Sequence, residues 1–316
     1  MKTLVLDNNK AIGVKFYGKF KKALSCNSFK EQLSGYIFIL PGLFFFALFV
    51  VYPLIYSLIL SLLTYHFNSN TYSWVGLGNY VDLFKDKVFI KSLINTFLFV
   101  LGVVPTTVIS SMLFAVIIID KTPRMQTLFR AIFYLPVVLS VVSVSLVWNN
   151  IYNSAYGVLN YFLNVLGGQS INWLGNPNTV IIALSIVILS FSMGQPIILN
   201  IAALGGIPIT YYEAADLDGA GKWLKFWNIT VPLLKPTTLY VFVTTTIGSF
   251  QIFAIINLMT YGGPNYSSST VLYMVYKAAF SYNDFTGAST MGVILFICCA
   301  VFSIFQFKLL SDSVEY

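Results

Sequence analysis

The chain has 316 residues, of which 57% are hydrophobic, 17% aromatic and 9% charged. A water-soluble domain carries roughly a quarter Asp, Glu, Lys and Arg, so this composition excludes a soluble enzyme and points to a lipid bilayer. The 18 basic and 11 acidic residues leave a net charge of +7, while one histidine (His66) and three cysteines, Cys26 in a lysine-rich segment and Cys298 and Cys299 adjacent in an apolar run, argue against a metal centre or a disulfide framework.

Residues 1–34 form a basic N-terminal segment with seven lysines. With Phe16, Tyr17 and Phe20 among them, it reads either as a cytoplasmic tail or as a segment lying on anionic lipid. The leader, and the 30-residue uncharged run after it, are too long for a cleaved signal, so that run is a retained helix. A bilayer crossing needs about 20 apolar residues in a helix. Six runs qualify: 35–64, 93–119, 131–148, 180–201, 237–258 and 291–310. Pro41, Pro53 and Pro105 lie inside the first two, which predicts tilt or kinks there. A shorter segment, 156–166, is apolar on one side and reads as an interfacial helix. Trp148 and Trp173 read as interfacial anchors, and residues 172–177 as a turn.

Orientation follows from lysine and arginine counts in the connections. The termini and the loops around Lys121 and Lys222 hold 14 such residues, and the alternate loops hold 4. Both termini therefore face the cytoplasm, and the fold class is an all-α integral membrane protein with about six transmembrane helices. A membrane domain over 35–310 encloses a cytoplasmic loop at 206–236, and 311–316 is a C-terminal tail.

Apart from Lys308 at its far end, the set of runs contains no Asp, Glu, Lys, Arg or His. Proton-coupled carriers usually keep such groups in the membrane as relays, so this absence weighs against proton coupling. Sodium coupling through backbone carbonyls stays open. No Thr-Val-Gly-Tyr-Gly filter or charged pore ring marks an ion channel. Nucleotide binding by the chain itself also fails: before Gly221-Lys222, a phosphate loop needs glycine at 216 and Ser or Thr at 223, where Asp216 and Trp223 stand.

The loop between the fourth and fifth runs carries the strongest local signal. Thr210 and Glu213 fit a capping box that predicts a helix from about Tyr211, with Ala214 and Ala215 keeping its surface small. Gly219 and Gly221 then end it. A second short amphipathic stretch has Trp223, Leu224 and Phe226 apolar and Lys222 and Lys225 basic. Such a short, small-faced helix suits a groove in another protein, or else lies on the lipid surface.

At these residues the sequence resembles a known family. Glu213-Ala214-Ala215, Gly219, Ile229 and Pro232 look like the E-A-A-x3-G-x9-I-x-L-P signature of membrane subunits of bacterial ABC importers, with Val231 at the usual leucine. The carbohydrate-uptake branch, typified by maltose and glycerol-phosphate permeases, is the most similar. Leu40-Pro41-Gly42, Tyr52-Pro53, Val75-Gly76-Leu77-Gly78-Asn79-Tyr80, Asn95-Thr96, Leu135-Pro136, Trp148 and Thr260-Tyr261-Gly262-Gly263-Pro264 agree in order. The resemblance implies a bacterial cytoplasmic-membrane importer without catalysis of its own. It implies two partner ATPase subunits that bind ATP and Mg, a second permease that is related but distinct, and an extracellular solute-binding protein that delivers a sugar. Tyr212, Glu213, Ala214, Ala215, Asp218 and Gly219 become the expected ATPase-coupling residues. No cofactor on the chain itself and no nucleic acid are expected.

A neutral polyhydroxylated solute needs amides, hydroxyls and aromatic faces. Candidate substrate-path residues are Ser192, Gln195 and Asn200 in the fourth run, near Pro196, and Thr246, Ser249, Gln251 and Asn257 in the fifth. Ser192 and Gln195 share a helical face, whereas Ser249 and Gln251 do not. For each, bonding within its own helix or between helices is the competing role. Three other readings stay open: an ion-coupled secondary carrier, a related permease for glycerol phosphate or a peptide, and a scaffold or channel.

Overall fold

A computed structural model of the chain describes residues 35–66 and 71–310. The basic leader with Cys26, the tail 311–316 and both termini lie outside the described residues, as does the expectation about the side on which the termini sit. Two compact units are distinguished, Met1–Ser57 and Leu58–Tyr316, and each is described on its own.

The first helix, α1, runs Gly35–Leu60. Pro53 cannot donate to the carbonyl four residues before it. Just upstream, Ala47–Val51 forms a π-helical turn in which the Tyr52 N–H bonds the Ala47 carbonyl.

Beyond α1 the protein is not all helical. Leu63–His66 (β1) and Thr71–Trp74 (β2) pair antiparallel, with Leu63 opposite Trp74 and Thr64 opposite Ser73. The apolar run to residue 64 hid this, because alternation begins only where the run is ending. Asn79 fastens the hairpin. Its Nδ2 donates to the Ser61 and Leu63 carbonyls at 3.0 and 2.8 Å, and its Oδ1 accepts from the Thr64 hydroxyl at 2.9 Å. Asn79 belongs to a short helix, α2 (Gly78–Lys85), so the Gly-Leu-Gly-Asn-Tyr motif serves as a bracket.

The central helix, α3 (Lys87–Ile119), starts two turns before the expected residue 93, because Asp86 caps it by accepting the Val88 N–H at 2.8 Å. At 33 residues it is about 50 Å long, well beyond a hydrocarbon core of about 30 Å. Its buried residues recur every three or four positions, from Phe89 through Ser92, Thr96, Phe99 and Val103 to Ser111, Ala115 and Ile118.

The third expected run is not one helix. It divides into α4 (Pro123–Val138) and α5 (Val141–Ile151), bent by 101°. Ser140 restarts the chain by capping: its hydroxyl accepts the Ser143 N–H at 3.2 Å. A short helix, α6 (Val158–Val165), comes next. Trp148 and Trp173, the expected interfacial anchors, are half-buried: the Trp148 indole donates to Ser190 Oγ and the Trp173 indole to Asn160 Oδ1, both at 3.1 Å.

The fourth run is α7 (Val180–Ser192) and α8 (Gly194–Gly205), bent by 47°. Val180, Ala183, Leu184, Val187 and Ile188 form the buried stripe of α7. After α8 come α9 (Ile209–Leu217) and α10 (Lys222–Lys225), the latter continuing through a π-helical turn, Phe226–Thr230. The fifth run is also broken, into α11 (Lys235–Phe250) and α12 (Ala254–Met259). Missed from sequence was α13, Val271–Ser281, a short apolar helix. The last helix, α14 (Phe285–Leu310), begins six residues before the expected 291, where Asp284 accepts the Gly287 N–H at 2.8 Å.

Among the described residues α1, α3 and α14 are by length and composition long and apolar enough to cross a membrane, and the number rises to five if each bent pair is one span. At 16 residues α11 is about 24 Å long, short of a crossing alone. Within the second unit, α3 packs along α7, α8 and α11, and α11 and α13 pack on α14.

Candidate functional site

Two helix breaks face each other across a cavity of about 370 Å³. On one side α7 ends at Ser192 and α8 restarts at Gly194. Pro196 sits in the first turn of α8, where a missing N–H is cheapest, but it leaves the Ser192 carbonyl without its helical donor. Gly194 allows the close approach of α4: a Cβ there would lie 2.5 Å from the Phe133 carbonyl oxygen and 2.8 Å from Val137 Cγ2.

On the other side α11 ends at Phe250. Gln251, Ile252 and Phe253 are unwound before α12 resumes, with Phe253 at φ −138°, ψ −56°. Irregular backbone at membrane depth is tolerated where it lines a cavity or is buried in protein.

Into this space come Ser192, Gln195, Ser249 and Gln251, four of the seven expected substrate-path residues. Ser249 and Gln251 meet there because the helix stops between them, which overturns the expectation from helical geometry. Thr244, Thr245, Phe191 and Phe253 also line the cavity and were missed. A usable signal existed for Thr245, which stands one turn before Ser249. Among the described residues, no Asp, Glu, Lys, Arg or His lines this cavity.

The other three expected residues lie elsewhere. Thr246 accepts from Gln306 Nε2 at 2.6 Å and donates to the Phe242 carbonyl at 2.8 Å, joining α11 to α14. Asn200 donates to Ser111 Oγ at 3.1 Å, joining α8 to α3. Asn257 lies in α12 and is not among the residues lining the cavity.

The second assembly is the loop around α9. Its helix starts at Ile209, with Pro208 in the N-cap position and no side-chain cap, so Thr210 and Glu213 form no capping box. Pro208 ends the preceding turn, and its fixed φ leads directly into the helix. The far end behaves as expected. Gly219 takes φ +74°, its N–H bonds the Asp216 carbonyl, and the Ala220 N–H bonds the Ala215 carbonyl, which is a Schellman closure.

Two ties hold α9 against the α10 segment: the hydroxyls of Tyr212 and Thr230 lie 3.0 Å apart, and Lys225 pairs with Asp216. The opposite surface is open. Glu213, Ala214 and Asp218 are exposed, and Leu217 is 91% exposed at the tip. Among the described residues Glu213 has no ion-pair partner.

Residues 74–316 match the family described as "Binding-protein-dependent transport system inner membrane component". The chain belongs to that family.

This permease is 34% identical over 289 residues to a "Probable ABC transporter permease protein YurN" of Bacillus subtilis, covering 90% of this chain and 99% of that one. It is 33% identical to the "Lactose transport system permease protein LacF" of Rhizobium radiobacter, covering 87% and 93%. Its fold is that of a chain in the crystal structure of a bacterial alginate ABC transporter in complex with an alginate pentasaccharide-bound periplasmic protein. The TM-score is 0.77 at 22% identity, and the match covers 89% of the permease and 94% of that chain. The permease is thus a multi-pass membrane protein with an ABC permease fold, and its relatives are transport subunits.

Proposed function

We propose that this permease is the membrane subunit of an ATP-driven importer that takes up a sugar or oligosaccharide by alternating access. Carrying the proposal is one observation: a cavity between two broken helices is lined by Ser192, Gln195, Thr244, Ser249 and Gln251, with Phe191 and Phe253 and no charge. Hydroxyls and amides exchange hydrogen bonds with sugar hydroxyls, and phenyl faces pack on the sugar's C–H surface. A phosphate ester would lack a cationic partner there, which favours a neutral solute. Relatives named for lactose, multiple-sugar and trehalose/maltose transport support the same class.

In this reading the chain holds no cofactor, and ATP and Mg reside on two ATPase subunits in the cytoplasm of a bacterium. Each ATPase receives one α9 helix, and the pair of permeases is completed by a second, related chain. An extracellular binding protein delivers the sugar on the opposite side. Glu213 offers an exposed carboxylate, Ala214 and Ala215 a low surface, and Tyr212, Asp218 and Gly219 the fixed frame of the hook. Driving the cavity from 1:99 to 99:1 between its two states requires about 5.5 kcal/mol of differential nucleotide binding.

The test is uptake of labelled lactose, maltose and trehalose into proteoliposomes. The full complex is compared with the permease alone, with and without ATP. Uptake that requires both the complex and ATP is expected, and Gly219→Pro should abolish it, because proline cannot adopt φ +74°. Uptake by the permease alone, or uptake of glycerol 3-phosphate in preference to every sugar, overturns the proposal.

A further inference from the structure

The unwound wall of the cavity poses an accounting problem. Where α11 stops, carbonyls that a continuing helix would have satisfied lose their donors, and in an apolar surround each must find another. The Ile252 carbonyl, between the two cavity residues Gln251 and Phe253, finds one far away in sequence: the Thr270 hydroxyl donates to it at 2.8 Å. Thr270 is fully buried. Its Oγ1 also accepts the Tyr273 N–H at 3.4 Å, capping the start of α13. One hydroxyl thus closes the open end of one helix segment and begins another.

Thr270 is itself gripped on both sides by α3. Asn95 Nδ2 donates to the Tyr266 and Ser269 carbonyls at 2.8 and 3.0 Å. The Ser92 hydroxyl donates to Ser269 Oγ at 2.9 Å, and the Val271 N–H donates to Thr96 Oγ1 at 3.0 Å. Ser92, Asn95 and Thr96 are buried within about one helical turn of each other. This accounts for the Asn-Thr pair at 95–96, whose role the sequence left open. Backbone between Tyr261 and Tyr266 is held in an uncommon form, with Tyr261, Asn265 and Tyr266 at φ of 51°, 46° and 58°. Downstream, the Tyr276 ring packs 4.6 Å from Phe253 and the Tyr273 ring 6.4 Å. Hydrogen bond and ring contacts therefore converge on residues 252 and 253.

We propose that Thr270, held by Asn95 and Thr96 of α3, is a positioning residue that sets the Gln251–Phe253 wall of the cavity and so its affinity for solute. This deepens the reading of the cavity as a substrate path and rests on it. The Thr270 hydroxyl, beside the Tyr273 and Tyr276 rings on Phe253, carries a displacement of α3 to the wall. Elsewhere in the same bundle Asn200 bonds Ser111 away from the wall, so a bond of similar burial serves as control.

The experiment introduces a thiol by Gln251→Cys in the full transport complex, with Cys26, Cys298 and Cys299 replaced by alanine. It measures the rate of modification by a charged methanethiosulfonate reagent in proteoliposomes. Thr270→Val, isosteric without the hydroxyl, is compared with Thr270→Ser, which keeps it, and with Ser111→Ala. Thr270→Val is expected to change the rate by about 5-fold, the weight of one lost buried hydrogen bond, with Thr270→Ser near the parent and Ser111→Ala unchanged. In parallel, uptake of whichever labelled sugar the parent transports should show a raised KM in Thr270→Val, restored in Thr270→Ser. If Thr270→Val does not accumulate, Thr96→Val is read by the same criteria, with a smaller change of the same sign. Equal rates in the Val and Ser variants, or a Ser111→Ala change as large as that of Thr270→Val, overturn the proposal. The thiol rate needs no transported sugar, so a parent that takes up none refutes the importer reading and leaves this measurement standing on its own.

Discussion

The two breaks that face the cavity have different origins. Between α7 and α8 the residues responsible stand in the broken segment itself: Pro196 withholds a donor, and Gly194 leaves room for the backbone of α4. Between α11 and α12 there is no proline, and no glycine within Gln251–Ala254. At that break the Ile252 carbonyl, which a continuous helix would have bonded, is taken by a distant hydroxyl, that of Thr270. One break is written into its own residues, and the other is a property of the packed bundle. Each brings polar side chains to one space, and only the first can be read along the chain.

The largest effect expected from testing this contrast is at Gly194. A valine there sets its Cβ 2.5 Å from the Phe133 carbonyl oxygen, and backbone cannot yield as a side-chain tip can. Overpacking costs about 1–3 kcal/mol and occasionally more, and a clash with backbone belongs at the upper end. Gly194→Val should therefore lower the midpoint of thermal unfolding in detergent sharply, while Gly248→Val, on α11 with open space at its Cβ, should leave it nearly unchanged. A mild effect at Gly194 would mean that α4 does not bear on the α7–α8 break.

A smaller effect separates the intact arm of α11 from its break. Gln306 donates to Thr246, while its own Oε1 is buried and has no partner among the described residues. Thr246→Val strips Gln306 of its remaining partner and should cost about 1–3 kcal/mol. Gln306→Leu removes the stranded amide, and Thr246 still donates to the Phe242 carbonyl, so that change should be close to neutral. The double variant should match Gln306→Leu alone. Unfolding midpoints of the four proteins decide it, and additive losses would show that the two groups do not act as a pair.

The same contrast governs how much of the molecule was legible in its sequence. Charge-free runs marked where the apolar helices lie, since hydropathy needs no knowledge of neighbours. The α9 hook was legible because Gly219 and its helix form a local unit, although Pro208 and not Thr210 begins it. Hydropathy is blind to backbone direction. The 101° turn at residues 139–140 lies within an uninterrupted apolar run, and only the Ser140 cap, a single small residue, announces it. Lys87 and Lys91 disguised the first turns of α3 as loop, while Asp86 was starting the helix. In the cavity, Ser192 and Gln195, paired in the sequence by a spacing of three, both line the wall although the helix breaks between them. Ser249 and Gln251 were separated by a helix geometry that the bundle does not keep. Thr246 was chosen over its neighbours Thr244 and Thr245, because three successive threonines carry no mark of which side faces Gln306.

The finest test of the contrast is Pro196→Ala. It restores an N–H able to bond the Ser192 carbonyl, so a bend of local origin should relax. With a rise of 1.5 Å per residue, opening the 47° bend lengthens the separation between positions 182 and 202 by about 2–3 Å. Ile182 and Ala202 are both exposed, and spin labels there in a cysteine-free chain would report the change by pulsed dipolar spectroscopy. The accompanying change in stability should stay within about 1 kcal/mol, because Pro196 stands in a first turn where its N–H has little to lose. If the distance does not move, the bend is held by the Gly194 contact with α4 and not by the proline. Both breaks would then be products of packing, and a proline in such a run would mark where a bend is permitted without being what makes it.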